Sequence, residues 1–249
     1  MSYSKFTKLH QQNDILILGN VWDAQSAKIA ESSGFQALGS SSHAIANSLG
    51  YADGEQIPVD DLLFMVERIV KSVKLPVSVD FESGYSDDPD QVAKYVKQLT
   101  DLGVVGINLE DGKVVKSVRK LGKSNLLADK IAAIKAMTKN VFINARTDTY
   151  TTKHESALEE TIKRAQIYSQ AGADGLFVPL AESKEDIEQI VTATTLPLNL
   201  FLTDKLPKAA ILGEIGVKRL SHGAKIYEYL VAKNTKLFHD FLINPKLPK

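Results

Sequence analysis

Short apolar runs of strand length alternate with longer amphipathic segments from one end of the chain to the other. Ile15 to Gly19 is a β-branched and leucine run, and Ala24 to Ser33 then reads as a helix stopped by Gly34. Gln36 to Ser40 is a second short strand. Between Pro58 and Ser72 the residues Leu62, Leu63, Val66, Ile69 and Val70 form one stripe at helical spacing, with Pro58 suited to a first turn. Pro76 to Phe81 is a third strand, Pro89 to Leu102 a helix with Asp88 as its N-cap, and Val104 to Leu109 a fourth strand. The second half keeps the rhythm. Helices are expected over Leu126 to Met137, Glu155 to Ala171, Lys184 to Val191, Pro207 to Gly213 and Lys225 to Phe241. Strands are expected over Val141 to Ala145, Gly175 to Val178, Leu196 to Leu200 and Val217 to Ser221.

Repeated strand–helix alternation implies parallel strands joined by right-handed crossovers. The strands are apolar on both faces, as strands buried between two layers are. An open doubly wound sheet competes with a closed barrel. Eight regular units in 249 residues favour the barrel, because an α/β (β/α)8 TIM barrel takes ~250 residues as one domain. The whole chain, 1–249, is therefore expected to be a single barrel domain.

Composition narrows the function. The apolar share of 44% is that of an ordinary globular core. Thirty basic and thirty acidic residues, mixed along the chain, give a formal charge of zero and no basic patch for nucleic acid or an anionic membrane. No run approaches the ~18 apolar residues of a spanning helix. The start, Met1 to Phe6, lacks the apolar stretch of a signal peptide. Cysteine is absent, which removes disulfides, thiolate metal sites and a thiol acid or nucleophile, and suits a reducing cytoplasm.

In such barrels chemistry sits on the loops leaving the carboxyl ends of the strands. Strand three ends Asp80-Phe81-Glu82, strand four Asn108-Leu109-Glu110, and strand five Asn144-Ala145-Arg146; alternation puts the members of each pair on one face. Strand two runs out into Ser41, Ser42 and His43. Two like charges ~4 Å apart repel by about 4 kcal/mol at an effective dielectric near 20. Three carboxylates at one mouth therefore call for a cation, and hard oxygen ligands suit Mg²⁺ or Mn²⁺. The plain alternative is a set of loop-end ion pairs, with Glu110 bonded to Arg146.

The ordered set Asn20-Val21-Trp22-Asp23-Ala24, Ser48-Leu49-Gly50, Val79-Asp80-Phe81-Glu82-Ser83-Gly84-Tyr85, Gly106-Ile107-Asn108-Leu109-Glu110-Asp111, Asn144-Ala145-Arg146-Thr147-Asp148 and Ala171-Gly172-Ala173-Asp174-Gly175 resembles the isocitrate lyase and phosphoenolpyruvate mutase superfamily. The resemblance implies a (β/α)8 barrel, a Mg²⁺ ion, small α-oxycarboxylate substrates and homo-oligomers, dimers or tetramers, often with a terminal helix exchanged between barrels. By it, Asp80 matches a direct metal ligand, and Glu82 and Glu110 match carboxylates that hold the metal through water. Asp53 matches an acid near the metal, Ser41 with the Ser42 and His43 backbone a carboxylate grip, and Arg146 the arginine that polarises the substrate. Glu82 stands where the family commonly has Asp.

Two departures matter. The carbon–carbon lyases of the family carry a Cys and a His in the loop after strand four; here Asp111 to Asn125 has neither, but has five basic residues from Lys113 to Lys123 that could cover an anionic substrate. The mutases carry a His after strand six, where this chain reads Phe177-Val178-Pro179-Leu180. Trp22, Asn108 and Asn199 are further candidates for lining the substrate site, and His222 ends strand eight. The first functional expectation is a Mg²⁺-dependent lyase for an α-keto acid such as oxaloacetate, since decarboxylation needs an electron sink and no thiol acid. The alternatives are phosphonopyruvate-type mutase or hydrolase chemistry, and a catalytically silent barrel that binds a carboxylate.

Overall fold

The computed structural model describes residues 2–116 and 118–246. Eight parallel strands close into a barrel: β1 (Leu16–Val21), β2 (Leu38–Ser40), β3 (Val77–Asp80), β4 (Gly106–Glu110), β7 (Phe142–Arg146), β8 (Gly175–Val178), β9 (Leu198–Phe201) and β10 (Arg219–Ser221). Going round, the order is β1, β10, β9, β8, β7, β4, β3, β2, so each strand pairs with its chain neighbours and β10 returns to β1. All eight expected barrel strands are present. The remaining two, β5 (Gly112–Val115) and β6 (Val118–Leu121), form an antiparallel hairpin that stands on β4 at the mouth.

The helices are α1 (Tyr3–Leu9), α2 (Ala24–Ser32), α3 (Ser42–Ser48), α4 (Val59–Ser72), α5 (Pro89–Asp101), α6 (Ser124–Met137), α7 (Ala157–Ala171), α8 (Lys184–Ala193), α9 (Ala209–Glu214) and α10 (Lys225–Ile243). Their ends follow local chemistry. Asp23 and Ser26 close a reciprocal cap on α2, and Asp88 accepts from Asp90 N ahead of Pro89 on α5. Helix α7 stops at Gly172, whose φ of 102° a Cβ would penalise. On α4 the buried positions Leu62, Val66, Ile69 and Val70 are the predicted stripe, less Leu63, which is only partly buried. Such stripes meet the outward faces of the strands, where Val79, Ile107, Ile143 and Leu176 are fully buried.

Sequence periodicity had not indicated α1, α3 or the hairpin. Helix α1 seals the lower end of the barrel: Phe6 meets Phe142 edge-on with centroids 5.4 Å apart, and His10, which caps the helix, stacks on Phe142 at 4.2 Å. The middle layer inside the barrel is polar. Asn108, Asn144, Asn199 and Arg219 all lie buried there, where branched apolar residues are the usual filling. This layer is the floor of the mouth.

Candidate active site

A cavity of about 250 Å³ opens at the carboxyl ends of the strands. It brings together Ser41, Ser42, His43, Asp53, Asp80, Glu82, Asn108, Glu110 and Arg146, residues singled out from the sequence and separated by as many as 105 positions. Asp80 ends β3. Its Oδ2 accepts from Ser42 Oγ at 2.8 Å, its Oδ1 from Asn108 Nδ2 at 3.4 Å, and its backbone N–H donates to Ser40 Oγ at 2.9 Å.

Glu82 reaches the same cavity by a different route from the one expected. The strand ends at Asp80, so alternation no longer applies two residues on; instead Glu82 takes a left-handed φ of 48°. The turn is held by Glu55, whose Oε1 accepts from Ser83 Oγ at 2.9 Å and Tyr85 N at 2.7 Å. Glu55 carried no strand-end signal and was not anticipated. Burial first, then the charges of Asp80, Glu110 and Asp53, pushes the Glu82 carboxyl up to about 8.

Glu110 is 4% exposed and does meet Arg146, at 2.8 Å between Oε2 and Nη1. Arg146 is aligned by Asp148, whose Oδ1 accepts from Nε at 2.9 Å and from Nη2 at 2.7 Å. The hairpin adds a second guanidinium. Arg119 Nη1 donates to Glu110 Oε1 and to Asp148 Oδ2, the latter at 2.7 Å. Burial raises the Glu110 carboxyl, and Arg146 and Arg119 pull it back towards the ionised form. Gly112 opens β5 where any Cβ would run into the Asp148 carboxylate, so the hairpin root needs glycine. The stretch expected to be a covering loop of basic residues is thus a hairpin with one arginine built into the wall. A basic residue at that position looks like its solvated neighbours, and no spacing set Arg119 apart.

Two expectations, Trp22 and Asn199 as lining residues, need correction. Trp22 does not line this cavity; it packs edge-on against Tyr227 at 5.2 Å and borders a separate apolar cleft between α2 and α10. His222 borders the same cleft, with Nε2 accepting from Asn20 N at 3.1 Å. Asn199 is buried in the barrel layer below the mouth and does not reach its surface. His43 lies on the rim, 3.5 Å from Asp53 and 3.7 Å from Glu228 of α10. Lys225 and Glu228, the first turns of α10, complete the wall.

The donor set suits a hard cation. Among the described residues, no three acids or histidines are drawn together into a ready-made cage. Glu110, expected to hold the metal through water, is turned onto two arginines, which leaves Asp80 and Glu82 facing the cavity, with Asp53 and Glu228 nearer its rim. That is enough for Mg²⁺, which keeps several waters and takes one or two carboxylates directly. Glu82 must then give up its proton; burial is the main cause of its raised pKa, and a divalent charge would oppose both that burial cost and the smaller repulsion from Asp80, Glu110 and Asp53.

The family described as phosphoenolpyruvate phosphomutase matches residues 6–242. A solved protein of Burkholderia cenocepacia described as a phosphonomutase shares 39% identity and a TM-score of 0.86, over 94% of this chain and 96% of that one. The oxaloacetate decarboxylase of a Bradyrhizobium strain is 31% identical over 73% of this chain and 64% of its own length. The 2-methylisocitrate lyase of Escherichia coli is 30% identical over 82% and 73%. The closed barrel, the acids at its mouth and these matches agree: the chain belongs to the phosphoenolpyruvate mutase and isocitrate lyase superfamily.

Proposed function

We propose that the protein is a Mg²⁺-dependent lyase that cleaves a carbon–carbon bond in a small α-keto carboxylate, with oxaloacetate as the substrate to try first. The observation that carries this reading is the pairing, on one wall, of outward-facing acids with an arginine held rigid by Asp148, beside a hairpin that has no Cys or His. Asp80 would hold the ion directly, with Glu82 beside it to hold its waters, while Glu110 is engaged with Arg146 and Arg119. When bound, the ion would act as a Lewis acid towards the keto and carboxylate oxygens.

The chain's own residues do the rest. The turn from Ser41 to His43 borders the cavity and receives the substrate carboxylate. Arg146, with both edges of its fork fixed, presents positive charge where the enolate oxygen develops. Loss of CO₂ leaves that enolate, and a proton from water completes pyruvate. No protein acid is required, which fits the hairpin. The match to an oxaloacetate decarboxylase supports the choice of substrate. Conversion of phosphonopyruvate to phosphoenolpyruvate is the assay for the mutase chemistry named among the similar proteins.

Purified protein should speed oxaloacetate decarboxylation with Mg²⁺ and lose that rate in chelator, after subtraction of the uncatalysed reaction. Asp80→Ala should lower the rate at least ~100-fold, equivalent to about 2.7 kcal/mol in the barrier, while the melting temperature holds. Equal rates with and without chelator would overturn the reading.

A further inference from the structure

Arg219 is the first residue of β10 and is 1% exposed inside the barrel. Its Nη2 donates to Asn108 Oδ1 at 3.1 Å, across the barrel from β10 to β4. Nε and Nη1 are buried without a hydrogen-bond partner, and none of the described ion pairs includes it. Burial depresses its pKa, and Asp80 is the charge that opposes the shift. A buried guanidinium at this cost in desolvation calls for a reason beyond filling space.

The reason lies in Asn108. Its side-chain amide has one end that accepts and one that donates, and either orientation fills the same space. A guanidinium only donates. Arg219 therefore forces Oδ1 of Asn108 to point at it. Asn144 Nδ2 donates to the same Oδ1 at 2.9 Å, which fixes the Asn144 amide in turn. The Nδ2 end of Asn108 is left facing Asp80, and donates to Oδ1 at 3.4 Å. Ser42 holds the other oxygen at 2.8 Å. Were Asn108 reversed, its carbonyl would face a carboxylate and its NH₂ would face a cation.

We infer that Arg219 is a positioning residue for the acid site: it sets the direction of the Asn108 amide and, through it, the orientation of the Asp80 carboxylate. The inference rests on the reading of Asp80 as the ligand of a divalent ion. Partners that orient a ligand from behind typically change metal affinity ~10–100-fold when removed.

The test compares Arg219→Gln with Arg219→Lys. Glutamine can bond to Asn108 but, having both ends, cannot dictate its direction. Lysine donates only. Calorimetric titration of Mg²⁺ should show affinity at least ~10-fold weaker in Arg219→Gln and within ~3-fold of wild type in Arg219→Lys. Thermal melts identify variants that fail to fold. Side-chain amide NMR of metal-free protein gives a second readout. The Asn108 NH₂ pair, assigned by its loss in Asn108→Asp, should carry the downfield shift and slow exchange of a carboxylate-bonded amide. Arg219→Gln should remove both, and Arg219→Lys should keep them. Wild-type Mg²⁺ affinity and an unmoved Asn108 signal in folded Arg219→Gln would overturn the inference, as would equal losses in both folded variants. A wild type that binds no Mg²⁺ would remove the metal reading alone, and the NMR comparison would still decide the relay.

Discussion

Glu82 has the most sharply defined pH behaviour at the residue scale. Its carboxyl, raised from about 4.5 to about 8, is protonated in the folded protein at neutral pH and ionised in the unfolded chain. Between those values the folded state binds the extra proton, so stability falls as pH rises. The contribution is fully present below ~4.5 and lost by ~8. In metal-free protein, the melting temperature of wild type should decline relative to Glu82→Gln between pH ~5 and ~9, because glutamine stays neutral throughout. A difference that stays flat across that window would show that Glu82 is not held protonated. The acids at strand ends were readable from sequence because a strand's alternation and its carboxyl end are both local facts. Alternation also points Glu82 at the mouth, but the strand ends at Asp80, and a left-handed turn pinned by Glu55 does the placing. Arg219 gave no signal at all, since an arginine beginning a strand ordinarily points to solvent. Only closure of the barrel puts it inside.

At the scale of elements, the hairpin separates two pictures of the basic stretch. A mobile cover would contribute little to stability. As a wall, it lodges Arg119 against two acids that are almost wholly buried. Removing one partner of a buried ion pair costs ~3–5 kcal/mol. For a chain of this size each 1 kcal/mol is worth ~2–4 °C, so Arg119→Met should lower the melting temperature by on the order of 5–10 °C, allowing for partial exposure and for Arg146. Arg119→Lys should recover only part, because one ammonium cannot reproduce the planar fork. Lys97→Ala, which breaks an exposed pair with Asp101, should change it by less than ~2 °C. Melts of the three variants decide the matter, and an unchanged Arg119→Met would restore the mobile cover. The eight barrel strands were legible although several have only three or four residues, because each is an apolar run in a repeating strand–helix order. Helices α1 and α3 stand outside that alternation, and the hairpin strands are interrupted by Lys113, Arg119 and Lys120, so neither shows an apolar run. The hairpin's turn runs through Lys116 with a φ of 49°, where Gly or Asn would have announced it.

At the scale of the whole molecule, the outer face of the barrel near the seam between β1 and β10 is only partly covered. Strand residues that face outward elsewhere, such as Val79, Ile143 and Leu198, are covered by helices; Ile17 on β1 is 45% exposed. The helix that chain order assigns to the seam between β10 and β1 is α10, and no α10 residue is buried. It carries Leu237, Phe238, Phe241 and Leu242 into the open, while its first turn supplies Lys225 and Glu228 to the mouth. An apolar helix and a partly covered apolar seam in one chain are complementary, and a second copy would satisfy both at once by exchanging helices, a self-complementary arrangement that would close as a dimer. The exchange would leave Lys225 and Glu228 at their own mouth and bury the far half of α10 on the partner. Sedimentation at micromolar concentration should therefore give at least twice the 27.3 kDa of the chain. Replacing Phe238 and Leu242 by Asp together should shift it to the monomer and expose surface that binds a hydrophobic dye. Phe64→Asp, at another exposed aromatic, on α4, should leave the assembly intact. A wild type that sediments as one chain, or a double variant that stays associated, would mean that the open seam is not where copies meet.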